Sequence, residues 1–187
     1  MGLYTAFPSR LVSIMASIIP DPGPAAVLSQ SGNLGVSLMS RLNRRGVGLS
    51  RVVSVGNEAS LSIADYLLLL KDDPQTKVIS VYAEGASAGR GFLSAIEETS
   101  RVKPVVLIKG GRSELGNRAV KSHTAALSGS YDVFSASVRE AGAILVDSMD
   151  EAVNVVGALC SQPLPKGRRL AIVTYGGGWG VFPARPG

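Results

Sequence analysis

Ala25-Ala26-Val27-Leu28-Ser29-Gln30-Ser31-Gly32-Asn33-Leu34-Gly35-Val36 is the stretch from which the rest of the chain can be ordered. Four apolar residues run without a break, as in a strand covered on both faces. They stop at Ser29-Gln30-Ser31-Gly32, and helical spacing follows, with Val36, Met39 and Leu42 on one side of a helix predicted over residues 35–42.

The same alternation repeats downstream. Strands are predicted at 51–55, 78–82, 104–108 and 144–146, and helices at 61–70, 91–102, 131–141 and 149–159. Gly56-Asn57, Asp72-Asp73-Pro74, Glu84-Gly85 and Lys109-Gly110-Gly111 supply the breaks. Apolar strands alternating with helices of about 10–15 residues imply βαβ units on a parallel sheet. The expected class is α/β, a flavodoxin-like doubly wound sheet over residues 25–162, with ligands at the carboxyl ends of the strands.

Outside that unit, Pro20, Pro22, Gly23 and Pro24 make residues 1–24 read as a lead-in from a preceding domain. Pro163, Pro165 and Gly167 make 163–187 read as a linker and the truncated start of a next domain, with a strand at 170–174 closed by Gly176-Gly177-Gly178-Trp179-Gly180. That glycine turn lacks the full spacing of a dinucleotide fingerprint.

Composition narrows the function. The chain has 187 residues, 45% of them hydrophobic and 18% charged, which fits a soluble globular domain. Aromatic residues are only 5%, against base stacking, and the formal charge of +5 is scattered rather than gathered into a nucleic-acid arm. One cysteine, Cys160, excludes an internal disulfide and suits a cytoplasmic setting. The apolar run from Leu11 to Ile19 is too short to span a membrane. No Cys/His metal cluster, phosphate-loop lysine motif or serine elbow is present.

The strand-end rule gathers candidate residues. Ser29, Ser31, Gly32 and Asn33 stand where a helix begins, and free N–H groups there bind phosphate well. Ser or Asn in that place equally caps a helix without any ligand. Glu84 ends the third strand, where a carboxylate could orient an imidazole or stand as an exposed loop acid. Beyond the fourth strand a long glycine-rich connection passes Arg112 and Arg118 to His123, the sole histidine, in Lys121-Ser122-His123-Thr124-Ala125-Ala126-Leu127-Ser128-Gly129. Imidazole exchanges protons near neutral pH and can carry a covalent intermediate.

Three segments together go further: residues 27–35, residues 122–129 and residues 170–180. They resemble the α-subunit-like part of ADP-forming acyl-CoA synthetases, in the succinyl-CoA synthetase superfamily. Ser54-Val55-Gly56-Asn57-Glu58 and residues 72–78 fit the same family. The resemblance implies a succinyl-CoA synthetase-like domain followed by the first strand of a second similar one. It implies conversion of acyl-CoA, ADP and phosphate into acid, CoA and ATP through a phosphohistidine. By match to the motif, His123 is the phosphorylated residue, Glu84 its supporting acid, and Ser29, Ser31, Gly32 and Asn33 the phosphate holders. CoA, ADP or ATP, phosphate and a small acid are then substrates, with Mg2+ accompanying the nucleotide in an ATP-grasp part that this chain lacks. The CoA-binding part is also absent, so the fragment is expected to be inactive alone and to work in an oligomeric enzyme. The alternative is a non-catalytic regulatory or acyl-CoA- or phosphate-binding domain of a related protein such as a protein acetyltransferase. His123 argues against that version.

Overall fold

The computed structural model describes residues 2–13, 18–84, 89–111, 131–165, 167, 169 and 171–176. The strands are β1 (Leu3–Thr5), β2 (Leu11–Ser13), β3 (Pro22–Ser29), β4 (Leu49–Ser54), β5 (Val78–Ala83), β6 (Val105–Lys109) and β7 (Ile144–Val146). The helices are α1 (Gly32–Arg44), α2 (Ile63–Lys71), α3 (Arg90–Ser100), α4 (Tyr131–Glu140) and α5 (Met149–Ser161).

Among the described residues seven strands lie in one sheet of order β2-β1-β4-β3-β5-β6-β7. From β4 to β7 every pairing is parallel. Counted among those five strands alone, the order is 2-1-3-4-5, the flavodoxin-like doubly wound arrangement. The chain leaves β3 toward β4 and then returns to β5 on the other side, so the switch point lies between β3 and β5.

Successive residues of a strand point to opposite faces, and the core divides accordingly. Val27, Val52, Val106 and Val146 pack with Leu38, Met39 and Leu42 of α1 and with Ala152, Val153 and Val156 of α5. Ala26, Leu28, Ile79, Val81 and Leu107 pack with Ile63 and Leu67 of α2, Phe92 and Ile96 of α3, and Val138 of α4. Local chemistry starts the helices. Ser62 and Asp65 form a reciprocal capping box on α2, and Ser148 caps α5 through the N–H of Glu151.

Two expectations for the flanks differ from the structure. Residues 1–24, read as a lead-in, contain two strands of the sheet: β1 pairs antiparallel with both β2 and β4, and Tyr4 is fully buried. The prolines misled because β3 begins at Pro22, ahead of the residues paired with β5, where a missing N–H costs no ladder bond on that side. At the other end, residues 171–174 show no strand; Val173 is fully exposed. A strand needs a partner for its backbone groups, and none of the described residues pairs with this segment.

Candidate functional site

The carboxyl end of β3 turns into α1 through Ser29, Gln30 and Ser31. Ser29 is fully buried. Its Oγ donates to the Ser31 carbonyl at 2.6 Å and accepts from the Ser31 N–H at 3.2 Å. Ser31 is the N-cap of α1: its Oγ accepts from the Leu34 N–H at 3.4 Å, and its carbonyl from the Gly35 N–H at 2.9 Å. The Ser29 hydroxyl is thus occupied in building the turn. Among the described residues no partner takes the N–H groups of Gly32 and Asn33. The first turn of α1 holds no acidic residue, so its positive end is unopposed there. Gly35 lets the helix approach the strand end; a Cβ there would stand 2.9 Å from the Cβ of Ser29.

Glu84 follows β5 directly across the switch point. Its N–H donates to Gln30 Oε1 at 2.5 Å, and the Gln30 N–H donates to the Tyr82 carbonyl at 3.1 Å. Gln30 Nε2 donates to Glu58 Oε1 at 3.1 Å, and the same oxygen accepts the Ile63 N–H at 3.0 Å, at the start of α2. Glu58 holds this place with a left-handed backbone, φ +55°. Lys109, ending β6, donates through Nζ to the carbonyls of Glu84 at 2.7 Å and Gly110 at 2.6 Å, and lies 5.4 Å from the centre of the Phe134 ring. Burial lowers the pKa of Lys109, and the nearby Glu84 charge opposes that shift. Burial, helped by the same charge, pushes the Tyr82 phenol up to about 12. A Cβ at Gly110 would lie 2.6 Å from the Tyr82 hydroxyl, so a side chain there would have to displace the buried phenol.

The structure therefore gathers Ser29, Ser31, Gly32, Asn33 and Glu84 at one edge, around the β3–β5 switch point. His123 lies outside the described residues, as do Arg112 and Arg118. Asn57 is exposed in the turn after β4. Two side chains had not been singled out from the sequence, Gln30 and Glu58. Their signal was a long amide in a tight serine turn and an acid directly after Gly56-Asn57, both at strand ends. Chemically, the edge offers helix N–H groups for an anion, and Glu84 stands at the end of the neighbouring strand, joined to the β3–α1 turn through Gln30. Among the described residues no group of His, Cys, Asp and Glu could hold a metal, and no helix is long and apolar enough to cross a membrane.

Comparison with known proteins agrees with this architecture. Residues 22–159 match the family described as the succinyl-CoA ligase like flavodoxin domain. The α subunit of ADP-forming acetate–CoA ligase I from Pyrococcus furiosus is 45% identical over 180 residues, covering 96% of this chain and 38% of that one. The ADP-forming 4-hydroxybutyrate–CoA ligase of Nitrosopumilus maritimus is 39% identical over 168 residues, covering 89% of this chain and 24% of that one. Among solved structures, dinucleotide forming acetyl-coenzyme A synthetase 1 of Ca. Korarchaeum cryptofilum, in complex with phosphate and ADP, superposes with a TM-score of 0.88 at 38% identity, over 96% of this chain and 39% of that chain. The chain thus spans well under half the length of these relatives.

Proposed function

The chain belongs to the family of succinyl-CoA ligase-like flavodoxin domains, and from that premise we propose that it is the phosphoryl-carrying domain of an ADP-forming acid–CoA ligase. The observation that carries the reading is the α1 terminus, with the N–H groups of Gly32 and Asn33 unclaimed among the described residues and Glu84 beside it across the switch point.

In this reading a phosphate oxygen attacks the acyl-CoA thioester, and CoA leaves. A ring nitrogen of His123 then bonds to phosphorus as the bond from phosphorus to the acyl oxygen breaks. The acid departs as carboxylate with that electron pair. An oxygen of the ADP β-phosphate next takes the same phosphorus, the N–P bond breaks, and its pair returns to the imidazole. Gly32 and Asn33 hold the phosphoryl oxygens by backbone N–H groups, Ser31 sets the helix start, and Ser29 fixes the turn. Glu84 accepts the other imidazole N–H, fixing the ring and favouring its cationic form. CoA and the nucleotide with its Mg2+ are substrates held by partner parts or subunits. The setting is cytoplasmic and the working enzyme a larger assembly.

The test is peptide mapping under alkaline conditions after exposure of the complete ligase to ATP. Acid-labile, alkali-stable phosphate on His123 is expected, and His123→Asn should abolish both it and turnover. A hydrogen bond to a charged group is worth about 1.5–3 kcal/mol, so Glu84→Gln should slow phosphorylation by roughly one to two powers of ten. A His123→Asn enzyme that still acquires alkali-stable phosphate and turns over would place the phosphoryl carrier elsewhere and leave this domain a binding or regulatory role.

A further inference from the structure

Glu84 stands one residue past the end of a ladder. The last β5–β6 pair is Ala83 with Lys109, and the Ala83 carbonyl is taken by the Gly110 N–H at 2.8 Å. A strand end beyond its ladder has backbone groups that would otherwise turn to water, and its side chain would move with them. At Glu84 both backbone groups are instead held by side chains from neighbouring strand ends. Gln30 Oε1 accepts its N–H, and Lys109 Nζ donates to its carbonyl.

Each arm is itself anchored. The far end of the Gln30 amide rests on Glu58, whose carboxylate also takes the first N–H of α2. The half-buried Lys109 lies against Phe134 of α4, which stacks on Phe92 of α3 with ring centres 6.3 Å apart. Lys109 could have paired with the Glu84 carboxylate, but no ion pair joins them: its ammonium donates to two carbonyl oxygens instead. An ion pair would have drawn the carboxylate toward the ammonium and away from an imidazole. Two carbonyl bonds hold the residue and leave its acid oxygens to another donor.

We propose that Gln30 and Lys109 are positioning residues that clamp Glu84 by its backbone and so fix where its carboxylate stands. This rests on the role proposed above for Glu84 and His123. The Glu58–Gln30 arm ties that carboxylate to α2, and the Lys109 arm ties it to α4.

A double-mutant cycle in the complete ligase tests it, reading single-turnover phosphorylation of His123, its pH profile and the Tm. Gln30→Met and Lys109→Met remove the polar arms and keep most of the bulk. Each should slow phosphorylation about tenfold in the parent and less than about twofold in the Glu84→Gln background, because groups acting through one residue are not additive. Each should also shift the pH profile in the direction that Glu84→Gln does. Lys109→Arg, which keeps the charge and the donors, should recover most of the Lys109→Met loss.

Equal slowing in both backgrounds, or wild-type rates for Gln30→Met and Lys109→Met, overturns the clamp while leaving the site reading in place. Normal phosphorylation in Glu84→Gln together with none in His123→Asn removes the role of Glu84, and the clamp with it. Phosphorylation retained in His123→Asn removes the proposed function itself. Should Gln30→Met fail to fold, the Lys109 variants read the same cycle alone.

Discussion

Tyr82 turns its phenol into the α1 face of the core and is only 7% exposed. Its pKa of about 12 compares with about 10 for a free phenol. With the folded value raised, the unfolded chain ionises first as pH climbs. The stability linked to this proton is therefore complete below about pH 10 and is lost between there and about pH 12. Tyr4, whose pKa burial also raises, contributes to the same decline. Tyr82→Phe should flatten the fall of Tm across that window in part, and a Tm series against pH compares the two proteins directly. A variant that falls as steeply as its parent would mean that Tyr82 ionises freely in the folded state. None of this was visible in the sequence, where Tyr82 was simply the last residue of an apolar strand. The buried phenol and the glycine that makes room for it at position 110 meet only across the sheet.

At the scale of elements, α1 connects fold to site. Its start was predicted three residues late, because Gly32 and Asn33 are poor helix formers and the apolar spacing begins only after them. The cap overrides that weakness: Ser31 takes the Leu34 N–H, and the helix begins at Gly32. Ser31→Ala should cost about 1 kcal/mol, the ordinary worth of an N-cap, read as a lowered Tm in the purified chain. If the first turn frays as a result, phosphate affinity should fall with it; a Tm equal to the parent's would show that the 3.4 Å bond carries little. The order of strands and helices between β3 and α5 was legible because each is an uninterrupted apolar run or a helical stripe bounded by turn residues. The Glu58–Gln30–Glu84–Lys109 links were not. They join residues 54, 28 and 25 positions apart in the chain, and local pattern says nothing about which polar side chains will meet.

At the scale of the molecule, the described residues form one sheet with a core on each face, and its antiparallel end is part of that core. Tyr4 on β1 is fully buried, packs in the α1–α5 cluster and donates through its hydroxyl to the Pro20 carbonyl at 3.0 Å. Tyr4→Ala should destabilise by about 3–5 kcal/mol, the usual cost of emptying an aromatic site in a core, checked by denaturant unfolding. A loss below about 0.5 kcal/mol, the range of surface substitutions, would return residues 1–13 to the status of a lead-in. The sequence hid this end because three-residue strands carry too little periodicity to register, and four prolines between positions 8 and 24 imitate a linker.

The backbone of Glu84 has one more consequence. Its amide proton is held by a side chain rather than by the sheet. In isotope-exchange terms it belongs to the site, while its neighbours in β5 belong to the slowest-opening core. The two populations sit one residue apart along the chain. A single proton therefore records whether the edge that holds the carboxylate is closed, on a clock separate from that of the fold which supports it.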